Sequence, residues 1–136
     1  MDGLAGAFFR IGDNSKALEY YLKRLNIEEK RKVVDNLATI YMNIANVYNR
    51  NNDRTSAIQY ILLADSIINT HNLDYLKLYA YLNTGNILEK ADRLDDALGY
   101  TKKCFQLATI KHDSLMIGNA MNNLGNIYNK KTDYTN

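Results

Sequence analysis

Apolar residues recur along this chain with helical spacing, in blocks that polar turns separate. In one such block the positions i, i+3, i+4 and i+7 are occupied by Tyr41, Ile44, Ala45 and Tyr48. This spacing predicts an amphipathic helix with one buried face. The polar residues NND then interrupt the stripe, and a second apolar stripe begins at Ala57. The pattern therefore predicts two helices joined by a short turn, with Asp53 as the N-cap of the second helix.

The same block returns every 40 residues without a gap. YMNIANVYNRNND begins at Tyr41, YLNTGNILEKADR at Tyr81 and MNNLGNIYNKKTD at Met121. Three further series keep this period: Ala5, Ala45, Gly85 and Gly125; Ala17, Ala57 and Ala97; and Tyr20, Tyr60 and Tyr100. Small residues at matching positions allow two helix backbones to approach closely. The chain is therefore predicted to be a helical repeat array.

The repeat predicts seven helices and four units. The helices are expected near residues 3–11, 14–28, 32–50, 54–70, 73–91, 94–111 and 114–131. The units are expected at about 1–31, 32–71, 72–111 and 112–136, with the last one incomplete. Short polar linkers between helices favour antiparallel neighbours. We interpret the whole chain, 1–136, as a single array and as a fragment of a larger protein.

The pattern N-x-[AG]-N-x-[YL], a polar turn and then A-[IL]-x-Y resembles the tetratricopeptide repeat. The period resembles that of the longer, 40-residue subtype, and the residue usage is similar to that of bacterial arrays from Bacteroidetes. The family's Trp is replaced by Tyr41, Tyr81 and Met121, and its closing Pro is absent. The resemblance implies an all-α fold, a right-handed superhelix of stacked antiparallel hairpins whose first helices line a concave groove.

Composition excludes several classes of function. The chain has 136 residues, 46% of them apolar, and no apolar run approaches the length of a membrane span. The net charge of +2 is too small to indicate nucleic acid or a membrane as partner. The N-terminus lacks the features of a signal peptide. Neither the single Cys nor any targeting segment indicates a compartment, so the localisation stays open.

A polar stripe follows the first helix of each unit. At ~100° per residue, Asn43, Asn46 and Arg50 share a face opposite Ala45. The predicted groove residues are Asn43, Asn46, Arg50, Tyr79, Asn83, Asn86, Lys90, Asn123, Asn126 and Lys130. Because Asn both donates and accepts, it can hold the backbone of an extended peptide. The stripes end in a row of basic residues, Arg10, Arg50, Lys90 and Lys130, which favours an acidic segment or a C-terminal carboxylate.

Each part of this stripe also has a structural interpretation. Neighbouring Asn side chains could bond to one another and set the stacking of the helices. A basic residue in the last turn of a helix also complements the helix dipole.

Two other functions use the same array. The chain could be a spacer or dimerisation element that works through the last helix, whose apolar side chains are Met121, Leu124, Ile127 and Tyr128. An RNA-binding array is a further alternative, which the low net charge disfavours.

Other residue types give no catalytic or metal site. His71 and His112 lie at hairpin junctions without further ligands, so no metal is expected. Cys104 replaces the Ala of the previous unit and is interpreted as a small core residue. Glu28, Glu29, Asp95 and Asp96 are interpreted as a solvated face, and segment 28–32 as an exposed junction. The series Tyr20, Tyr60 and Tyr100 is interpreted as helix packing.

The leading hypothesis is a protein–protein interaction module without enzymatic activity or cofactor. It would bind a peptide or partner segment in its groove, as the sensory or regulatory part of a bacterial signalling protein. The resemblance to the tetratricopeptide repeat implies this role. The repeat pattern itself, with no catalytic constellation beside it, favours binding over chemistry.

Overall fold

The computed structural model describes residues 2–135, and every regular element in that range is an α-helix. The chain divides into two compact units, Met1–Leu73 and Asp74–Asn136. The seven helices found between residues 2 and 135 confirm the prediction of an all-α fold. Within that range, no helix is both long enough and apolar enough to cross a membrane.

The first unit contains four helices, each packed against the next in chain order. They are α1 (Asp2–Arg10), α2 (Asn14–Arg31), α3 (Val34–Arg50) and α4 (Arg54–Thr70). Its core is formed by the buried residues Ala5, Ala17, Tyr21, Leu25, Ile40, Ile44 and Val47. Helix α3 supplies Ile40, Ile44 and Val47 to this core and also buries Ala38, Met42 and Ala45, so its solvent-accessible face is narrow.

The second unit contains three helices, of which the middle one packs against both others. They are α5 (Asp74–Lys90), α6 (Leu94–Ile110) and α7 (Ser114–Thr135). Helices α5 and α7 also contact each other directly. The core contains Leu78, Cys104, Ala108, Met116 and Ala120. Contact between α5 and α7 brings two of the polar stripes into the same unit.

The turns between helices use the same backbone geometry in every repeat. Two series of residues have positive φ, between 53° and 87°: Gly12, Asn52 and Asp92, and Lys32, Asn72 and His112. A residue in this left-handed region commonly ends a helix. Asp13, Asp53 and Asp113 then accept hydrogen bonds from backbone N–H groups three residues later, which confirms Asp53 as an N-cap. Helix ends fall within four residues of the predicted bounds.

The small residues lie where helices approach most closely. Ala45 and Ala57 are fully buried in the first unit. In the second, a Cβ atom on Gly85 would lie only 2.4 Å from Oγ1 of Thr101. Thr101 is itself buried, and its hydroxyl donates to the carbonyl of Ala97 at 2.8 Å. The α5–α6 pair therefore requires glycine at position 85, and not merely a small residue.

The tyrosines of the 40-residue series pack against the first helix of their own hairpin. The ring centroids of Tyr20 and Phe8 are 5.5 Å apart, and those of Tyr60 and Tyr48 are 5.6 Å apart. Tyr100 lies 6.4 Å from Tyr81. These distances are typical of favourable aromatic pairs. The interpretation of the series as helix packing is confirmed.

Two predictions about exposure were wrong. Glu28 is fully buried and is not part of a solvated face. Its carboxylate lies 2.8 Å from the guanidinium of Arg24 and accepts a hydrogen bond from Asn36 at 3.1 Å, so it joins α2 to α3. Ile127 is also fully buried, because it shares a helix face with the core residue Ala120, seven positions earlier. Met121 and Tyr128, by contrast, are exposed as predicted.

Candidate functional site

The ten predicted groove residues lie on three first helices, distributed over the two units. In the first unit, α3 carries Asn43, Asn46 and Arg50. In the second, α5 carries Tyr79, Asn83, Asn86 and Lys90, and α7 carries Asn123, Asn126 and Lys130. None of the ten is buried, whereas Ile44 and Ala45 of the same turns are. Each stripe is therefore a solvent-accessible helix face.

The six asparagines of the stripes take no part in the hydrogen bonds of the described residues. Other asparagine side chains do: Asn14 accepts from Arg50, and Asn36 donates to Glu28. Between residues 2 and 135, hydrogen bonds between stripe asparagines thus do not occur within either unit. Each stripe amide keeps its donor and acceptor available for a ligand.

Arg50 is held by the hairpin that precedes it in the first unit. Its Nε donates to Oδ1 of Asn14 at 2.7 Å, and its guanidinium carbon lies 3.5 Å from the ring centroid of Phe9. A cation–π contact of this kind contributes about 0.5–1 kcal/mol at an exposed site. Arg50 therefore connects the end of α3 to α1 and to the start of α2.

Lys130 is held in the equivalent way in the second unit. Its Nζ donates to the backbone carbonyl of Glu89 at 3.2 Å and lies 3.2 Å from a carboxylate oxygen of the same residue. The carboxylate of Asp92 is 3.9 Å away. An ammonium group at this position also satisfies a carbonyl in the last turn of α5. The contact fixes the stripe of α7 beside that of α5.

Both contacts join positions 41 residues apart, Arg50 to Phe9 and Lys130 to Glu89. Sequence reasoning missed them, although the fixed offset was a signal that could have revealed them. Lys90 takes part in no ion pair among the residues that the structure describes. In the second unit, Lys90 is therefore the stripe cation that remains available to a partner.

Tyr79 is 54% exposed and lies one turn before Asn83 on α5. An exposed aromatic ring of this size offers apolar contact area next to the polar amides. The exposed face of α5 thus combines an aromatic ring, two amides and one free cation. This combination suits a ligand with both a peptide backbone and an acidic group.

The remaining candidates show no reactive chemistry. Cys104 is fully buried, and burial raises its pKa to about 11, which confirms its interpretation as a core residue. Within the described range, no group of three or more His, Cys, Asp or Glu residues could hold a metal. Asp95 is exposed, and its contact with Lys131 lowers its carboxyl pKa. His71 and His112 both lie exposed in the turns.

The described helices define an all-α helical-repeat fold, and comparison with known families agrees with it. Residues 38–71 match the family model of the tetratricopeptide repeat. This segment covers most of α3, the turn and all of α4. Tetratricopeptide repeats generally mediate protein–protein interactions and are generally not catalytic. No curated protein matches the chain.

Proposed function

We propose that this chain is a protein-interaction module in which the polar stripes on the first helices of each unit bind extended peptide segments. The observation that carries the proposal is the set of six solvent-accessible asparagine side chains that bond to no other described residue. They recur at the same positions of α3, α5 and α7. An extended peptide presents unpaired backbone N–H and C=O groups, which an amide side chain can satisfy together.

The partner segment is proposed to carry an acidic residue or a free C-terminal carboxylate. Lys90 supports this, because it is exposed and takes part in no ion pair of the described chain. Arg50 and Lys130 contribute less, since their side chains already hold neighbouring helices. A charge-assisted hydrogen bond that Lys90 donates to the peptide carboxylate would set the register of the peptide on the second unit.

The wider role is inferred from the repeat period. The 40-residue spacing resembles that of the longer tetratricopeptide subtype, and this resemblance implies a regulatory role. We infer that the array is the sensory or regulatory part of a signalling protein.

Selection from a peptide library tests the proposal. The wild type is compared with the triple variant Asn43→Ala/Asn83→Ala/Asn123→Ala, after circular dichroism has shown that both are folded. Each lost hydrogen bond is worth about 1 kcal/mol, so a peptide held on the second unit through Asn83 and Asn123 should bind the variant about 30-fold more weakly. A control variant, Asn26→Ala/Asn69→Ala, removes exposed asparagines of α2 and α4 and should bind normally. Equal enrichment by all three chains would contradict the proposal.

A second function, self-association through α7, is favoured by the exposure of that helix. Met121 is 58% exposed and Tyr128 46%. The equivalent residues of the first unit, Tyr41 and Tyr48, both lie against the ring of Tyr60. Sedimentation at increasing protein concentration tests this alternative. A monomer at every concentration would exclude it, and a dimer that Met121→Ser dissociates would support it.

A further inference from the structure

A pocket between α5 and α6 lies apart from the asparagine stripes. Its volume is about 300 Å³, and it is lined by Lys77, Tyr81, Lys103, Gln106, Leu107 and Ile110. The two α5 residues are one helical turn apart, and the four α6 residues fall at i, i+3, i+4 and i+7. Because α5 and α6 pack against each other as an antiparallel hairpin, these two faces meet along one groove.

The charges at this pocket leave one cation uncompensated. The ammonium of Lys77 lies 2.9 Å from the carboxylate of Asp74, which also raises the pKa of Lys77. Lys103 has no carboxylate partner among the described residues. Its Nζ lies 5.3 Å from the ring centroid of Tyr100 and 5.9 Å from that of Tyr81. The rings attract this ammonium but do not neutralise its charge.

The lining also provides an apolar surface and uncharged polar groups. Leu107, Ile110 and the ring of Tyr81 form the apolar part. The amide of Gln106 and the hydroxyl of Tyr81 take part in no hydrogen bond of the described chain. A ligand with an apolar body and one anionic group could therefore place its body on the apolar side chains and its anionic group beside Lys103.

We propose that this pocket binds a compact monocarboxylate with an aromatic or branched aliphatic body. The carboxylate would accept from the ammonium of Lys103, and the body would lie on Leu107 and Ile110. The volume is at the lower end of the range for ligand pockets, which suits a ligand with a small body. Because no lining residue belongs to the asparagine stripes, this site is independent of the proposed peptide surface.

Titration of the full chain with 3-phenylpropionate, followed by ¹H–¹⁵N NMR, tests the proposal. Saturable shifts are expected at the side-chain amide of Gln106 and at the backbone amides of Leu107 and Ile110. Lys103→Gln should weaken binding about tenfold, because it removes a charge-assisted hydrogen bond. The matched control is Lys102→Gln, which removes the same charge from an exposed neighbour outside the pocket. Equal affinity of these two variants would overturn the proposal.

Three further ligands complete the experiment. The uncharged analogue 3-phenylpropionamide should bind at least about fivefold more weakly, since it cannot form the charged contact. N-acetyl-leucine and a tetrapeptide that ends in leucine distinguish a free acid from the end of a partner chain. Tighter binding of the tetrapeptide identifies a partner's C-terminus, and equal binding identifies a free acid. Absence of saturable shifts with all of the carboxylates would overturn the proposal.

Discussion

Replacing Gly85 by Ala adds one methyl group at the closest approach of α5 and α6. The new Cβ would lie 2.4 Å from Oγ1 of Thr101, 3.4 Å from the backbone nitrogen of Thr101 and 3.5 Å from the carbonyl oxygen of Ala97. Only the first distance is too short, by roughly 1 Å compared with an ordinary van der Waals contact. Thr101 cannot yield easily, because it is buried and its hydroxyl bonds to Ala97. Helix α6 must therefore shift.

The magnitude follows from comparison with a second glycine. At Gly125 on α7, a Cβ atom would meet nothing within 4 Å. Both substitutions gain helix propensity, about 0.5–1 kcal/mol. Only Gly85→Ala also overpacks an interface, which costs about 1–3 kcal/mol. The propensity gain cancels between the two variants. We therefore expect Gly125→Ala to be more stable than Gly85→Ala by about 1–3 kcal/mol.

Urea denaturation followed by circular dichroism measures this difference. Both glycines belong to the second unit, so the same cooperative structure is compared. Gly125→Ala should raise the midpoint above that of the wild type, and Gly85→Ala should lower it. In a Thr101→Ala background, the same Gly85→Ala change should no longer destabilise, because the conflicting oxygen is absent. The reasoning is refuted if Gly85→Ala stabilises the wild type as much as Gly125→Ala does.

Three further predictions concern groups that the structure buries or constrains. Glu28→Ala should lower the free energy of unfolding by about 3 kcal/mol, because it removes a buried carboxylate that pairs with Arg24 and accepts a hydrogen bond from Asn36. A second substitution, Asn36→Met, should recover part of the loss, because the second unit has Ala108 and Met116 at the two equivalent positions. Lys32→Gly should stabilise by about 1 kcal/mol because Lys32 has positive φ, whereas Lys30→Gly inside α2 should destabilise by a similar amount. Cys104 should resist thiol reagents at pH 8 in the folded chain.

The raised pKa of Cys104 also predicts a pH dependence of stability. The folded chain keeps the thiol protonated up to about pH 11, whereas the unfolded thiol ionises near its ordinary value of 9.0. The unfolded state therefore releases its proton first as the pH rises. The contribution of this group to stability is complete below pH 9 and is lost between about pH 9 and 11. Cys104→Ala should remove that part of the decline, and an unchanged pH profile would contradict the assignment.

For each of these three predictions, one experimental outcome would contradict the structural explanation. The explanation for Glu28 would be contradicted if the Glu28→Ala variant were as stable as the wild type. For Lys32, the contradicting outcome is a Gly variant that destabilises as Lys30→Gly does. For Cys104, it is a folded chain whose thiol reacts as fast as a free cysteine. Each outcome would show that the burial or backbone geometry described for that residue does not hold in solution.

The helices could be predicted from the sequence because each assignment can be compared between several repeat units. The turn predicted at 51–53 is supported by the equivalent turns 40 residues earlier and 40 residues later. The positions of Ala45 and Tyr60 in the packing followed from the same comparison. Periodicity specifies which face of a helix is buried, and that was sufficient for the fold.

Departures from the repeat could not be predicted in this way. Glu28 lies in a run of charges that looks solvated, and its burial depends on Arg24 and on Asn36 in the next helix. The requirement for glycine at position 85 depends on the hydroxyl of Thr101, and the preceding unit has Ile61 at the equivalent position. These features arise from side-chain pairs between helices, which a single-helix pattern does not contain.

The residues of the stripes on α5 and α7 were predicted from the sequence, but the contacts of the individual side chains were not. The sequence predicted that Asn83 and Lys130 both lie on the polar stripes. It did not predict that Lys130 donates a hydrogen bond to Glu89. An ammonium group can face a partner or a neighbouring helix from the same position, and the choice depends on residues 41 positions away. Peptide binding by the stripes accordingly stays a prediction.

The most direct test of that prediction is the NMR signal of the asparagine side-chain amides. The most strongly enriched library peptide would be titrated into ¹⁵N-labelled wild-type chain. We expect the side-chain amides of Asn83, Asn86, Asn123 and Asn126 to shift, and that of Asn26 on α2 to remain unchanged. The central claim would be contradicted if the peptide binds while the stripe amides do not shift.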